Sequence, residues 1–508
     1  MAHSTFTIKT RWPSGIAAGL VLVLTFGTLG AVILRADFMA GLGAADWAAV
    51  RFTVTQAFVS AALSCILAIP VARALSRRAF RGRSVLITLL GAPFLLPVVV
   101  AVFGILAVFG RGGILNSTLA WAGLPQVSIY GFQGVILGHV FFNLPLVTRL
   151  ILQGWLAIPS ERFRLAASLD GCVSQLLERP MLRSVLPGAF LVVFLISLTS
   201  FAVALTLGGG PRATTVELAI YQALRFDFDL GRAAMLALVQ FGLCVGAGAF
   251  VWRFGTANAF GIGLDRRIER WDGHGWLDGI CIGLATLFLI LPLGMVVLRG
   301  LPGLLDLPAD IWWAAGRSLL VATASATLCM ALALALSLRG GALVAIVGVL
   351  PLAASSLVIG TGLFLIIYPV MNPTKLALLV TTLTNATLAL PFVLRAIGPS
   401  VDAVNADFGR LGATLGLSPV VWTRHIMLPR LRRPIGFGAG LAAALSMGDL
   451  GVITLFAGEG GETLPLAMYR LMGAYKMEAA ASAALVLLGL SLALFWICDQ
   501  GGRTNVDL

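Results

Sequence analysis

The sequence predicts an all-α integral membrane protein with twelve transmembrane helices, arranged as two parallel six-helix repeats. Three observations predict it. Apolar residues make up 59% of 508 and charged residues only 11%, with a mean hydropathy of +0.98; lipid-facing helices can use that much apolar surface, whereas a soluble core cannot. Runs of about 20 apolar residues, enough for one helical span each, recur along the whole chain. Finally, one polar, Arg-bearing stretch between apolar runs occurs twice. Leu144-Pro145-Leu146-Val147-Thr148-Arg149 is followed at 164 by Arg-Leu-Ala-Ala-Ser-Leu-Asp. Leu390-Pro391-Phe392-Val393-Leu394-Arg395 is followed at 410 by Arg-Leu-Gly-Ala-Thr-Leu-Gly, so both parts return after 246 positions.

The twelve runs cover roughly 15–34, 51–72, 85–109, 132–152, 184–207, 232–252, 277–298, 317–338, 343–368, 376–397, 434–456 and 478–497. They are continuously apolar, which excludes the alternating pattern of a membrane β-barrel. Lys9 and Arg11 precede the first run, as in a signal peptide. Its core is longer than a signal's apolar region and no small-x-small site follows Leu34, so it reads as a retained span. Pro97, Pro145, Pro292, Pro351 and Pro391 are expected to kink or end helices.

Charge follows topology. The net charge is +13 and the pI about 10.4, yet the basic residues are not gathered on one module, which argues against nucleic acid as a partner. With the N-terminus in the cytoplasm, inner-side segments take 24 of the 35 Lys and Arg. This bias follows the positive-inside rule and places both termini in the cytoplasm. The six cysteines show no paired spacing and read as small apolar residues.

The repeats divide as residues 1–260 and 261–508, joined by a polar, basic linker from Trp252 to Trp276. Trp47-Ala48-Ala49-Val50-Arg51 reappears as Trp313-Ala314-Ala315-Gly316-Arg317, and Thr215 to Tyr221 answers to Thr463 to Tyr469. An even number of spans per half returns the chain to its starting side, so the repeats are parallel.

The repeated polar loops lie at about 159–183 and 405–430. A short helix, a tight turn and a second helix would make a compact knob for a partner's groove. Glycine at the turn permits a positive φ, and Asp tolerates it better than most other residues. Arg164 and Arg410 can hold acidic partner groups bidentately; the alternative is an amphipathic interfacial helix whose arginines meet anionic lipid. The second loop resembles the coupling loop of ABC-importer permeases, whose pattern is Glu-Ala-Ala, three residues, Gly, nine residues, Ile-x-Leu-Pro. Gly416, Ile426, Leu428 and Pro429 fall on the family positions, while Arg410 replaces the Glu, and Leu411 and Gly412 the two alanines. In the first loop Arg164, Ala166 and Ala167 align, Asp170 takes the Gly position with Gly171 next, and Pro180 arrives three residues early. The resemblance implies a type I ABC-importer permease and assigns these residues to ATPase coupling.

No Walker-type loop precedes any of the three lysines, and no catalytic or metal-ligand grouping occurs. The chain is therefore expected to be a transporter subunit and not an enzyme. It would bind no cofactor, with ATP and Mg²⁺ on a partner ATPase in two copies, one per loop.

The segments after the loops narrow the resemblance. Ser200 to Pro211, with Leu207-Gly208-Gly209-Gly210-Pro211, leads to Glu217-Leu218-Ala219-Ile220-Tyr221-Gln222-Ala223. The second half has Ser446-Met447-Gly448-Asp449 and then Thr463-Leu464-Pro465. Together these are similar to the fused permease of bacterial thiamine and thiamine-diphosphate ABC importers, over nearly the whole chain. That family implies an inner-membrane location, a periplasmic substrate-binding protein and alternating access. Fused ferric-iron or polyamine permeases share part of the pattern, and an ion-gradient-driven carrier is the alternative from another class. Asp449, aligned with Ser200, is costly in an apolar run and should face a cavity or the bundle interior. It is either a cavity-wall acid for a cationic thiazolium or a helix-packing acid. Glu217, Tyr221, Glu462 and Tyr469 fall in re-entrant or outer-side segments, where tyrosines either stack on substrate or anchor at the interface.

Overall fold

The computed structural model describes residues 12–91, 95–169, 172–210, 213–254, 275–337, 347–348, 350–352, 354–458 and 460–503. The linker at 255–274, with Gly261-Ile262-Gly263, lies outside the described residues. So do Asp170 and Gly171.

The chain opens on α1 (Trp12–Leu22), which passes through a five-residue π turn, Val23–Gly27, into α2 (Thr28–Arg35). Thr25 and Thr28 return their hydroxyls to the carbonyls of Val21 and Leu24, satisfying them inside the helix. Next come α3 (Ala44–Arg77), α4 (Arg83–Leu89), α5 (Val98–Phe109), α6 (Ile114–Trp121) and α7 (Phe132–Leu156). A short α8 (Ser160–Ser168) precedes α9 (Arg179–Leu198), α10 (Ala202–Leu207), α11 (Val216–Arg225) and α12 (Leu230–Phe254). The second part holds α13 (Gly275–Gly300), α14 (Ala309–Ser337), α15 (Ser356–Ile367) and α16 (Ala377–Thr414). It closes with α17 (Pro419–Trp422), α18 (Leu428–Met447), α19 (Gly451–Phe456), α20 (Leu464–Gly473) and α21 (Met477–Arg503).

Among the described residues, eleven helical stretches are long and apolar enough to cross a membrane. The expected twelfth, at 343–368, contributes only the shorter α15, and part of that run is outside the described residues. Other runs are also broken. The third divides into α4 and α5, the fifth stops at Leu198 before α10, and the eleventh stops at Met447 before α19. Conversely α16 continues to Thr414, well past the apolar run. Pro145, Pro292 and Pro391 lie inside helices, while Pro97 caps α5.

Where α9 ends, side chains from other helices take its last carbonyls. Gln56 donates to Ser197 O and Gln240 to Leu198 O, both at 2.9 Å, so the break costs little. Helix contacts cross between the two parts of the chain. The core cluster joins Val99, Phe103 and Leu224 to Leu357, Phe456 and Leu487, and α2 packs on α15 while α5 packs on α13 and α21. The pair α18 and α21 approaches closely because small residues line it: a Cβ at Gly436 would lie 2.5 Å from the Cys498 carbonyl oxygen.

Candidate functional site: two knobs and an interior cavity

The first knob begins where α7 stops at Leu156 and the chain turns through 157–159 into α8. Phe163 and Ala166 are its buried face, Phe163 in a cluster with Trp155 and Met181. Arg164 is exposed, and Leu165 and Leu169 are 60% and 70% exposed. A π turn, Ser174–Glu178, leads into α9, with exposed Pro180 in its first turn.

Glu178 fastens this knob to the bundle. Only 3% exposed, it accepts from Arg77 at 3.0 Å and lies 3.1 Å from Arg73, both on the last turns of α3. The next residue, Arg78, pairs with Asp278 at the start of α13 at 2.7 Å.

The second knob has a different build. Helix α16 runs into it unbroken and ends in a Schellman motif: Gly416 at φ +59 donates to Ala413 O, and Leu417 to Gly412 O. Ser418 caps α17 by accepting from Val421 N. Trp422 is fully buried on Gly412, with Val401, Val404, Met427 and Leu431 around it. A Cβ at Gly412 would meet the Trp422 ring at 2.5 Å, which explains why the alanine of the expected pattern is absent there. Arg410 is exposed; Ile426, Leu428 and Pro429 are half-buried. Leu411, Leu415 and Val420 are 51%, 62% and 72% exposed.

Both knobs lie at one end of the bundle. Helix α13 starts beside the first, through Arg78–Asp278, and the returning α14 ends beside the second, where Leu334 joins the Trp422 cluster. Each knob leads through a five-residue π turn into a 20-residue helix, a six-residue helix and a ten-residue helix. The ten-residue helices are tied at matching places: Val216 N donates to Thr53 Oγ1 at 2.9 Å and Leu464 N to Ser318 Oγ at 2.8 Å.

Between α9 and the second-half helices lies a cavity of about 270 Å³. Its walls include Leu195, Ile196 and Thr199 on one side and Asn385, Phe392 and Ser446 on the other, with Asp449 and Ser355. Asp449 sits in the break between α18 and α19. Its Oδ1 accepts from Gly451 N at 3.2 Å; Oδ2 is buried, and although the Asn385 amide and the Val452 N–H lie near the carboxylate, neither closes a hydrogen bond of proper geometry on that oxygen. Asn385 donates to Ser446 Oγ at 3.0 Å; in the first half Asn143, four residues later than Asn385 in the repeat, donates to Ser197 Oγ at 3.4 Å.

The other candidates are dispersed. Ser200 is half-buried in the break between α9 and α10 and does not line this cavity. Glu217 is fully buried in the core, with Ser355 and Gln240 as polar neighbours, neither closing a hydrogen bond of proper geometry on it. Tyr221 packs edge-on against Phe201 and Phe226 and lies within electrostatic reach of Tyr469, Arg225 and Arg470. Glu462 pairs with Arg470, and its carbonyl accepts from Arg317. Sequence reading missed Glu178, Asn385 and Trp422. Asn385 could have been found as an amide inside an apolar run; Glu178 could not, because its partner is 101 residues away.

No protein-family model matches the chain. Curated relatives do. It is 39% identical to the thiamine transport system permease protein ThiP of Salmonella typhimurium over 476 residues, covering 89% of each chain. Against the protein of the same name from Escherichia coli it is 38% identical, covering 91% of this chain and 90% of that one. Against that of Brucella abortus it is 36% identical, covering 97% and 96%.

Proposed function

This chain belongs to the thiamine transport permease family of ABC importers, and from that premise we propose how it works as the membrane-spanning subunit of a thiamine importer. The two parts of the chain, 1–260 and 261–508, act as parallel repeats of six spans each, with both termini in the cytoplasm of a bacterium and the knobs facing inward. Two copies of an ATPase subunit carry ATP and Mg²⁺; this chain binds no cofactor. Each ATPase receives one knob in a groove, held by the exposed leucines and by Arg164 or Arg410. A periplasmic binding protein delivers thiamine or its phosphates to the opposite face. Closure of the ATPase pair draws the knobs together, and the repeats rock about the path between them.

The observation that carries this reading is the pair of knobs at one end of the bundle, each leading through the same series of elements to the interior. The family's coupling role is assigned to Arg164, Ala166, Ala167, Asp170, Gly171 and Pro180 in the first. In the second it is assigned to Arg410, Gly412, Gly416, Ile426, Leu428 and Pro429. Ser200, Glu217, Tyr221, Asp449, Glu462 and Tyr469 are assigned to the substrate path or its gates.

Labelled-thiamine uptake into vesicles holding the chain with its ATPase and binding protein tests the reading. Uptake should require ATP and stop with vanadate. Uptake driven by a proton gradient without the ATPase would replace this mechanism with that of a secondary carrier.

A further inference from the structure

We propose that the cavity beside Asp449 is a recognition site within the permease for a permanently charged heteroaromatic cation, with the Asp449 carboxylate as its counter-charge. This rests on the importer reading above and names the part of the substrate that the permease itself holds: the positive ring shared by thiamine and its phosphates.

Among the described lining residues Asp449 is the one ionisable group, and no Lys, Arg or His accompanies it. Its two oxygens are unequally used. Oδ1 is engaged by the Gly451 amide, while Oδ2 receives no hydrogen bond of proper geometry, with the Val452 N–H and the Asn385 amide as its polar neighbours. Asn385, on the same wall, directs a well-formed bond to Ser446 instead. Held ionised inside an apolar bundle, such an acid is expensive unless a positive charge completes it.

The architecture does not require the acid. In the first half Ser200 holds the corresponding place, between a 20-residue and a six-residue helix of the same lengths as those flanking Asp449. A hydroxyl suffices to build that break, so a packing role does not explain the carboxylate. The rest of the wall suits a flat ring. Leu195, Ile196, Leu388 and Leu445 supply apolar surface, Phe392 an aromatic face, and Thr199 and Ser355 hydroxyls. The site is also one-sided, because its polar groups come mainly from the second half while the first contributes chiefly apolar side chains. A cation seated there would bridge the two halves, and their relative movement would change its contacts.

The experiment uses the purified complex of permease and ATPase subunits without binding protein. Its probes are the 3-benzyl-4-methylthiazolium cation and uncharged 4-benzylthiazole. The wild type should bind the cation at least about tenfold more tightly, the lower end of what a close pair of opposite charges contributes. Asp449→Asn should bring the two affinities together, and Asp449→Glu should keep part of the preference. As a second measurement on the unaltered chain, carbodiimide labelling of Asp449 should be slowed by the cation and not by the neutral ring. An assembled Asn variant that keeps the wild-type preference, or labelling indifferent to the cation, overturns the proposal. In either case ATP-driven thiamine uptake by the complete importer would leave the transport reading intact, whereas its absence would sink that reading first.

Discussion

The two knobs reach the same end of the molecule and feed equal series of helices, yet they are fastened by different chemistry. The first is a separate helix after a chain break, held by the buried Glu178 between Arg73 and Arg77. The second is the tip of an uninterrupted helix, held by Trp422 on Gly412, with Met427 where the first has Glu178. In the proposed mechanism each knob serves as a rigid lever leading into a 20-residue helix. A lever must not bend at its root, and either a clamped carboxylate or a packed indole can prevent bending. The ionic root also links three elements, since the neighbouring Arg78 holds α13. The apolar root is more local, because Trp422 lies only ten residues from the glycine it covers.

The second root is most vulnerable at Trp422. Replacement by alanine removes a fully buried indole, and large-to-small changes of this kind cost about 3–5 kcal/mol. Trp422→Ala should lower the melting temperature of the assembled importer and raise the ATP hydrolysed per thiamine carried, through the second knob alone. A variant with unchanged melting and coupling would show that the Trp422 platform is not the root of the lever.

At the first knob, Glu178→Met installs the residue that the second knob uses. It removes the carboxylate that buried Arg77 donates to, and breaking a buried pair costs about 3 kcal/mol at the lower end of the known range; partly exposed Arg73 stays hydrated. The double change Glu178→Met with Arg77→Met should recover most of the loss, turning the ionic root into an apolar one. A double-mutant cycle on melting temperature and coupling ratio measures this. If the double variant is no better than the single one, the two roots are not interchangeable solutions.

These roots also mark how far the sequence could be read. The membrane class was legible because hydropathy is a local signal, and the two Arg-bearing stretches stood out because their motif repeats. Helix ends were not legible. Hydropathy reports where lipid ends, so α16 was expected to stop near 397, although Val401, Val404 and Trp422 give its polar continuation an apolar face to pack. Breaks inside apolar runs were hidden for the same reason, since chain turns at Leu198 and Met447 leave composition unchanged. Asp449 was the visible exception, because an acid is out of place in such a run. The cavity it lines was invisible, as its walls come from segments up to 254 positions apart, from Leu195 to Asp449.

The smallest effect sharpens the comparison at the turn of the second knob. Gly416 takes φ +59, a conformation in which a Cβ costs an L residue about 1–2 kcal/mol. No other atom lies within 4 Å of where that Cβ would go, so the penalty at this site is purely backbone. Gly416→Ala should therefore destabilise the tip by about 1 kcal/mol, and Gly416→Asn by less, because Asn tolerates the left-handed region. The Trp422 cluster should stay intact in both, so melting should fall slightly while the exposed leucines shift against the ATPase. Coupling that tracks the order Gly, Asn, Ala would place the tip's function in its turn geometry. Coupling indifferent to that order would place it in the leucine and arginine side chains instead.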